Sequence, residues 1–270
     1  MLNRSAAIAF IFAISASAAE AQFNTSDPAP GENFNVELGA MFWSPTPTLI
    51  VQTGALAAFG ETRVDLVREF AIENKRFREF RIVAKAGRKH KIRFNYLPIE
   101  YSQTATLTRT ISFGDRTFTV GVPATADLEW KMWKAGYEWD IVSRDRGFFG
   151  IIAELKHNEI NASLSSTFGV EAAEAKAPVP TVGVIGRGYP HRMVSITGEF
   201  TGFKVPDRLS EEFEASLYDF DIYATVSFGR NLGVQAGYRS LTAEYLVDED
   251  AGELKLKGPY FGGVLRRGRL

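Results

Sequence analysis

Along most of this chain apolar and polar residues alternate one by one. The clearest run is 215–228, where Tyr218, Phe220, Ile222, Ala224, Val226 and Phe228 fall on one face and Leu217, Asp219, Asp221, Tyr223, Thr225 and Ser227 on the other. Successive side chains of an extended strand point to opposite faces, so each such run predicts a strand with one apolar and one wet face. The same split runs through 192–201, where Val194, Ile196 and Phe200 oppose Ser195, Thr197, Glu199 and Thr201. It recurs in 131–141, where Trp133, Ala135, Tyr137, Trp139 and Ile141 oppose Lys134, Gly136, Glu138 and Asp140. Further runs cover 36–43, 78–86, 90–101, 148–158, 181–188, 232–239 and 254–264, and no helical period competes with them. The pattern predicts an all-β chain of about ten strands, with about eight or twelve as the neighbouring solutions.

The connections between runs fall into two kinds. Short turns rich in Gly, Asp, Asn or Pro occupy 87–90, 143–147, 189–192 and 229–232, while longer segments occupy 44–74, 113–122, 170–180 and 206–214. Short and long alternate, as expected if all tight turns lie at one end of the strands and all long loops at the other. The segment 44–74 is too long for an ordinary connection, and within it 61–67 reads as an extra strand or a piece folded into the mouth of the structure. In two runs the apolar parity slips: to Leu97, Ile99 and Tyr101 after Tyr96, and to Leu241, Ala243 and Tyr245 after Arg239. A bulge, or a strand leaving its apolar surroundings, is the expected cause.

The N-terminus sets the compartment. Arg4, the apolar run 6–14 and the small-x-small triplet Ala19-Glu20-Ala21 form a secretory signal peptide over 1–21. The apolar run is well short of the roughly 20 residues of a spanning helix. A polar, Pro-containing segment, 22–33, follows and is expected on the periplasmic side, ahead of a single domain over 34–270. The absence of Cys excludes a disulfide scaffold, a thiolate metal site and a lipoprotein anchor. Lys+Arg 31 against Asp+Glu 32 leaves nothing that favours nucleic acid.

Aromatic residues decide between a soluble sandwich and a membrane barrel. Trp130, Trp133, Tyr137 and Trp139 crowd one strand, and Tyr96, Tyr101, Tyr218, Tyr238, Tyr245 and Tyr260 recur in others. Aromatic girdles at two membrane interfaces account for that concentration, and a sandwich core does not require it. Strands of nine or more residues also suit a bilayer better than the ~5–6 usual in soluble sheets. In this respect the chain resembles bacterial outer-membrane β-barrel proteins as a class: transmembrane, up-and-down and antiparallel. The last run carries the resemblance furthest, with Leu254, Leu256, Gly258, Tyr260, Gly262 and Val264 alternating with Glu253, Lys255, Lys257, Pro259, Phe261 and Gly263. It looks like the C-terminal strand read by the barrel assembly machinery, although the class usually ends on an aromatic residue and this chain ends Arg266-Arg267-Gly268-Arg269-Leu270. The resemblance implies an outer-membrane location, with membrane lipid and lipopolysaccharide as surroundings.

Taking the wet face as the lumen, the interior carries Arg81, Lys85, Lys91, Arg93, Lys134, Lys156, Arg239, Lys255 and Lys257 against Glu37, Glu79, Glu138, Asp140, Glu154, Glu199, Asp219, Asp221 and Glu253. A barrel of this size is only slightly wider than one that side chains fill. Balanced charges there are expected to pair across the lumen, giving an occluded or narrow small-solute pore in place of an open porin-like channel. A rival, enzymatic reading starts from His157, Glu159 and Ser163, with Ser165 beyond: on the outward face near the outer rim, these residue types would suit a lipid-modifying hydrolase of the lipid A deacylase kind. A third reading, a surface-binding barrel, rests on the long loops. Gly183, Gly186 and Gly188 mimic a dinucleotide loop, but a Pro follows instead of a helix, and no cofactor or metal is expected.

Overall fold

The computed structural model describes residues 29–52, 63–113, 116–205, 213–247 and 250–268. The expected signal peptide over 1–21, residues 53–62 of the long first connection and most of the expected 206–214 loop lie outside these residues. Ten long strands form a closed antiparallel barrel. In chain order the strands are β1 (Val36–Trp43), β2 (Thr46–Gln52), β3 (Arg63–Asp65), β4 (Phe77–Lys85), β5 (His90–Thr106), β6 (Ile111–Phe113), β7 (Arg116–Phe118), β8 (Pro123–Arg144), β9 (Gly147–Ser166), β10 (Gly169–His191), β11 (Val194–Lys204), β12 (Phe213–Phe228), β13 (Leu232–Val247) and β14 (Asp250–Arg267). Each of the ten runs read from the alternation lies on a barrel strand. Closure is made by β1 on β14, from Val36↔Arg267 to Trp43↔Tyr260.

β2 continues this seam. It pairs with the upper part of β14 from Thr46↔Lys257 to Ala251↔Gln52, in the same register as β1. β1 and β2 are therefore one strand interrupted at Ser44-Pro45. Gly258 sits opposite the break, and a Cβ there would lie 2.3 Å from the Ser44 carbonyl oxygen. Only a glycine lets the two backbones approach so closely.

The turns between β4 and β5, β8 and β9, β10 and β11, and β12 and β13 are all short, and they share one end of the barrel with Val36 and Arg267. The opposite end differs from expectation in one place. Residues 170–180 are not a loop but the first half of β10, joined to β9 by Thr167-Phe168 alone. Ala, Glu, Lys and Pro give this stretch little strand propensity, yet β9 holds it residue by residue. Pairing with β11 starts only at Val182, so Pro178 and Pro180 lie on an edge where a missing N–H is tolerated. β8, β9 and β10 are 22, 20 and 23 residues long, against 9 for β4 and 11 for β11. With β5 paired to the top of β8, this wall rises roughly ten residues, about 30 Å of strand, above the flanking β4 and β11.

Of the two expected causes of the parity slips, a change of surroundings is found and a bulge is not. The β5–β8 and β12–β13 registers run unbroken through Leu97 and Leu241. The strands keep their facing while the barrel interior changes chemistry, from charged in the lower half to apolar in the upper. Met41, Trp43, Phe77, Leu97, Ile99, Tyr101, Trp130, Met132, Leu217, Leu241 and Leu256 form this inner apolar core. The register irregularities fall instead between Asp140 and Val142 and between Gly188 and His191, beside short turns.

The outer surface carries an apolar belt that includes Leu38, Phe80, Ile92, Trp133, Ile151, Ile196, Phe220, Ile222, Val234 and Phe261. Tyr137, Trp139, Tyr218 and Tyr238 face outward, as girdle residues do, whereas Trp130, Tyr101 and Tyr260 are buried inside.

Candidate functional site: the charged lumen

The alternation that builds the wall also lines the interior, because every second residue of each strand points inward. Three tiers close it. The top tier comes from the long first connection. Asp65 caps the helical turn Leu66–Glu69, its carboxylate accepting from Val67 N and Arg68 N at 3.1 and 3.2 Å. The chain then places Phe70 and Ile72 against the inner face of the tall wall, with Leu107, Ile111, Phe118 and Leu164. Ile72 also touches the barrel's apolar core. The described parts of this connection, 44–52 and 63–74, therefore supply β2, β3 and a short lid segment packed on the inner wall at the mouth. Glu69 ties the lid to the next loop, accepting from Thr108 N at 2.5 Å, Thr108 Oγ1 at 2.7 Å and Arg109 Nε at 3.3 Å. Burial acts to raise its pKa, but these donors outweigh it and hold the carboxyl below its usual value.

The middle tier is a charge network across the barrel. Asp219 is its hub. Its Oδ2 accepts from Lys134 Nζ at 2.9 Å, Lys156 Nζ at 3.1 Å and Arg239 Nη2 at 2.8 Å, and its Oδ1 accepts from Arg239 Nε at 2.8 Å. Arg239 also lies 3.1 Å from Glu79, which receives Arg81 at 2.9 Å. Arg81 reaches Asp221 at 2.9 Å, and Asp221 accepts the Tyr260 hydroxyl at 2.8 Å. A second chain runs from Glu199 through Arg93 to Glu138, Lys91 and Asp140, with contacts between 2.5 and 3.2 Å. Glu154 is peripheral, 3.7 Å from Lys156. Buried ion pairs add little net stability, because desolvation offsets their attraction. What they do here is fill the lumen. A cavity of about 30 Å3 remains between Arg81, Lys91, Arg93, Glu138 and Arg187, room for one or two waters.

The bottom tier comes from the N-terminal segment. The single turn Pro30–Glu32 enters the barrel's short-turn end, where Glu32 receives Arg187 at 2.8 Å, Lys85 at 3.0 Å and the Tyr189 hydroxyl at 2.9 Å. A Cβ on Gly31 would meet that hydroxyl at 2.6 Å, so the turn needs glycine to seat. Burial would raise the Glu32 carboxyl, but Arg187 and Lys85 override it and hold it far below the usual 4.5. Phe34 seals the space beneath, with Lys85 Nζ 4.4 Å from its ring centre, and Arg266 pairs with Glu37 at 2.5 Å beside it.

Of the predicted lumen residues, Lys134, Glu138, Asp140, Glu154, Lys156, Glu199, Asp219, Asp221 and Arg239 are buried inside. Lys255 and Lys257 are not among them. On β14 the inward residues are Leu256, Gly258, Tyr260, Val264 and Arg266; Lys257 is exposed outside, and Lys255 pairs there with Glu253 and Glu244. Polarity misassigns the face here because this high on the wall the lumen is apolar and the outside is beyond the belt. Glu32, Arg187 and Arg266 escaped the sequence reading. Arg187 shares the inward parity of Thr181, Arg266 belongs to β14 and not to a tail beyond it, and no periodicity marks Glu32.

The enzymatic candidates do not converge. His157 Nε2 lies 3.3 Å from Glu159 Oε1 on the outer face. Ser163 lies on the same strand six residues on, roughly 20 Å away at strand spacing. Ser165 is farther still, so no triad forms there.

In overall fold the chain is similar to the outer membrane protease OmpT from Escherichia coli, with a TM-score of 0.55 at 10% identity over 90% of this chain and 99% of that one. The translocator domain of autotransporter NalP from Neisseria meningitidis gives a TM-score of 0.43 at 7% identity over 86% and 88% of the two chains. The attachment invasion locus protein Ail of Yersinia pestis gives 0.35 at 9% identity over 85% and 97%. No family model matches the chain, and no curated protein matches its sequence. The architecture is that of bacterial outer-membrane β-barrels.

Proposed function

We propose that this protein is an integral barrel of the bacterial outer membrane that works with a closed lumen, as a structural barrel that admits at most water-sized solutes. On this reading residues 1–21 direct secretion, β14 is the strand presented to the assembly machinery, and the apolar belt sits in lipid. The observation that carries the proposal is the charged tier of the lumen: among the described residues its charges are matched across the barrel, the Pro30–Glu32 turn fills the short-turn end, and the cavity left between the charged side chains is about 30 Å3. Single-channel recording of the purified protein in planar bilayers tests it. Silence, or rare events far below porin size, is expected, and a steady porin-like conductance refutes occlusion. Fractionation tests the location, since a soluble periplasmic protein would refute the membrane reading.

A second reading, a surface-binding barrel, is favoured by the tall wall of β8, β9 and β10. Its tip exposes Phe168 (77%) and Val170 (60%), far above the apolar belt. Shortening the β9–β10 hairpin should then abolish surface binding while leaving assembly intact.

A further inference from the structure

The short-turn end of the barrel carries a ring of cations that the lumen network does not use. Arg88 and Lys89 lie on the β4–β5 turn, Arg144 at the β8–β9 turn, Arg192 on the β10–β11 turn, Arg230 on the β12–β13 turn, and Arg267 at the end of β14. All six are exposed. None forms an ion pair with the described residues; Lys89 reaches only the Ile141 carbonyl oxygen, at 3.4 Å. Asp145 is the lone acid on these turns among the described residues. The opposite rim is mixed in sign, with Glu73, Glu100, Glu174, Glu214 and Glu244 exposed beside Lys75, Arg76, Lys176 and Lys257.

The ring also has a defined depth. Ile141, Val142, Phe149, Phe228, Leu232, Leu265 and Val36 are exposed apolar residues on the strands that enter or leave the turns. The cations therefore follow directly on the last apolar outward positions, at the hydrocarbon–headgroup boundary, where long basic side chains reach phosphate while their stems stay in apolar surroundings. We infer that this ring binds anionic phospholipid headgroups of the periplasmic leaflet, one basic turn after another around the barrel. The inference rests on the membrane reading above and adds the lipid class and the leaflet to it. The recognised chemistry is the phosphodiester charge, and the position at the belt's edge favours a lipid over a soluble acidic partner.

The test uses the full mature protein reconstituted in nanodiscs from neutral phosphatidylcholine with a minority of phosphatidylglycerol, followed by mass-spectrometric counting of retained lipids. Wild type should retain phosphatidylglycerol several-fold above its input share, and the enrichment should shrink in high salt. The quadruple variant Arg88→Ser, Arg144→Ser, Arg192→Ser and Arg230→Ser should retain the input ratio, and the matching four Arg→Lys changes should restore enrichment. Folding is checked on the same samples by the gel shift between unheated and heated protein, which separates a failed barrel from a failed lipid site. Wild-type discs at the input ratio would overturn the inference. So would an enrichment unchanged by the serine variant, or a salt-sensitive capture of an acidic periplasmic protein without any lipid preference.

Discussion

Asp219→Asn changes almost no volume and removes one charge from the centre of the lumen. In the native barrel the carboxylate receives three cations, Lys134, Lys156 and Arg239, whose side chains are 6%, 0% and 1% exposed. Leaving buried charge without its partner costs about 3–5 kcal/mol. The amide oxygen can keep one contact to a cation, worth about 1.5–3 kcal/mol, so the net loss should be about 1–3 kcal/mol. Glu154→Gln is the internal control. Its carboxylate is equally buried, but its Oε2 makes no hydrogen bond and stands 3.7 Å from Lys156, so its loss should stay below about 1 kcal/mol. The assay is urea unfolding of the reconstituted barrel, read from the folded and unfolded gel bands. Adding Lys134→Met to Asp219→Asn should recover part of the loss, because it removes one of the stranded charges. Equal midpoints for Asp219→Asn and Glu154→Gln would refute the hub assignment.

Three more outcomes follow from the same geometry. Ile222→Arg, in the middle of the belt, should cost about 2–4 kcal/mol and Phe228→Arg, at the turn end of the same strand, about 0–1 kcal/mol, in the same unfolding assay. Because the Glu32 carboxyl is lowered on folding, its docking energy is fully present above the ordinary value of 4.5 and is lost only as pH falls through the depressed folded value. Protection of the N-terminal segment from a protease should therefore be flat from neutral pH down to about 4.5, while Glu32→Gln should expose it at all pH values. Gly258→Ala should slow closure of the β1–β14 seam and destabilise the barrel by about 1–3 kcal/mol, since its Cβ overlaps the Ser44 carbonyl; folding kinetics in lipid vesicles measure both effects.

The sequence by itself indicated a segment of every barrel strand, about ten in all, and an up-and-down antiparallel order, because period two is a local property that each strand writes into its own residues. It also determined which side chains share a face. It did not determine which face looks inward, since that requires knowing what lies on each side at a given height. Within the belt, lipid outside and charge inside make polarity a reliable guide, and Asp219, Asp221 and Arg239 were legible there. Above the belt both surroundings change, so Leu97, Leu241 and Leu256 are inward although apolar and Lys257 outward although charged. The length of β10 was hidden for a related reason. Its weak strand-forming residues 169–180 are held by the neighbouring β9, a contact that local propensity cannot express. Only the tertiary structure could bring Glu32 to Lys85 and Arg187, because an ion pair between residues so distant in sequence leaves no periodic trace and exists only once the barrel has closed around it.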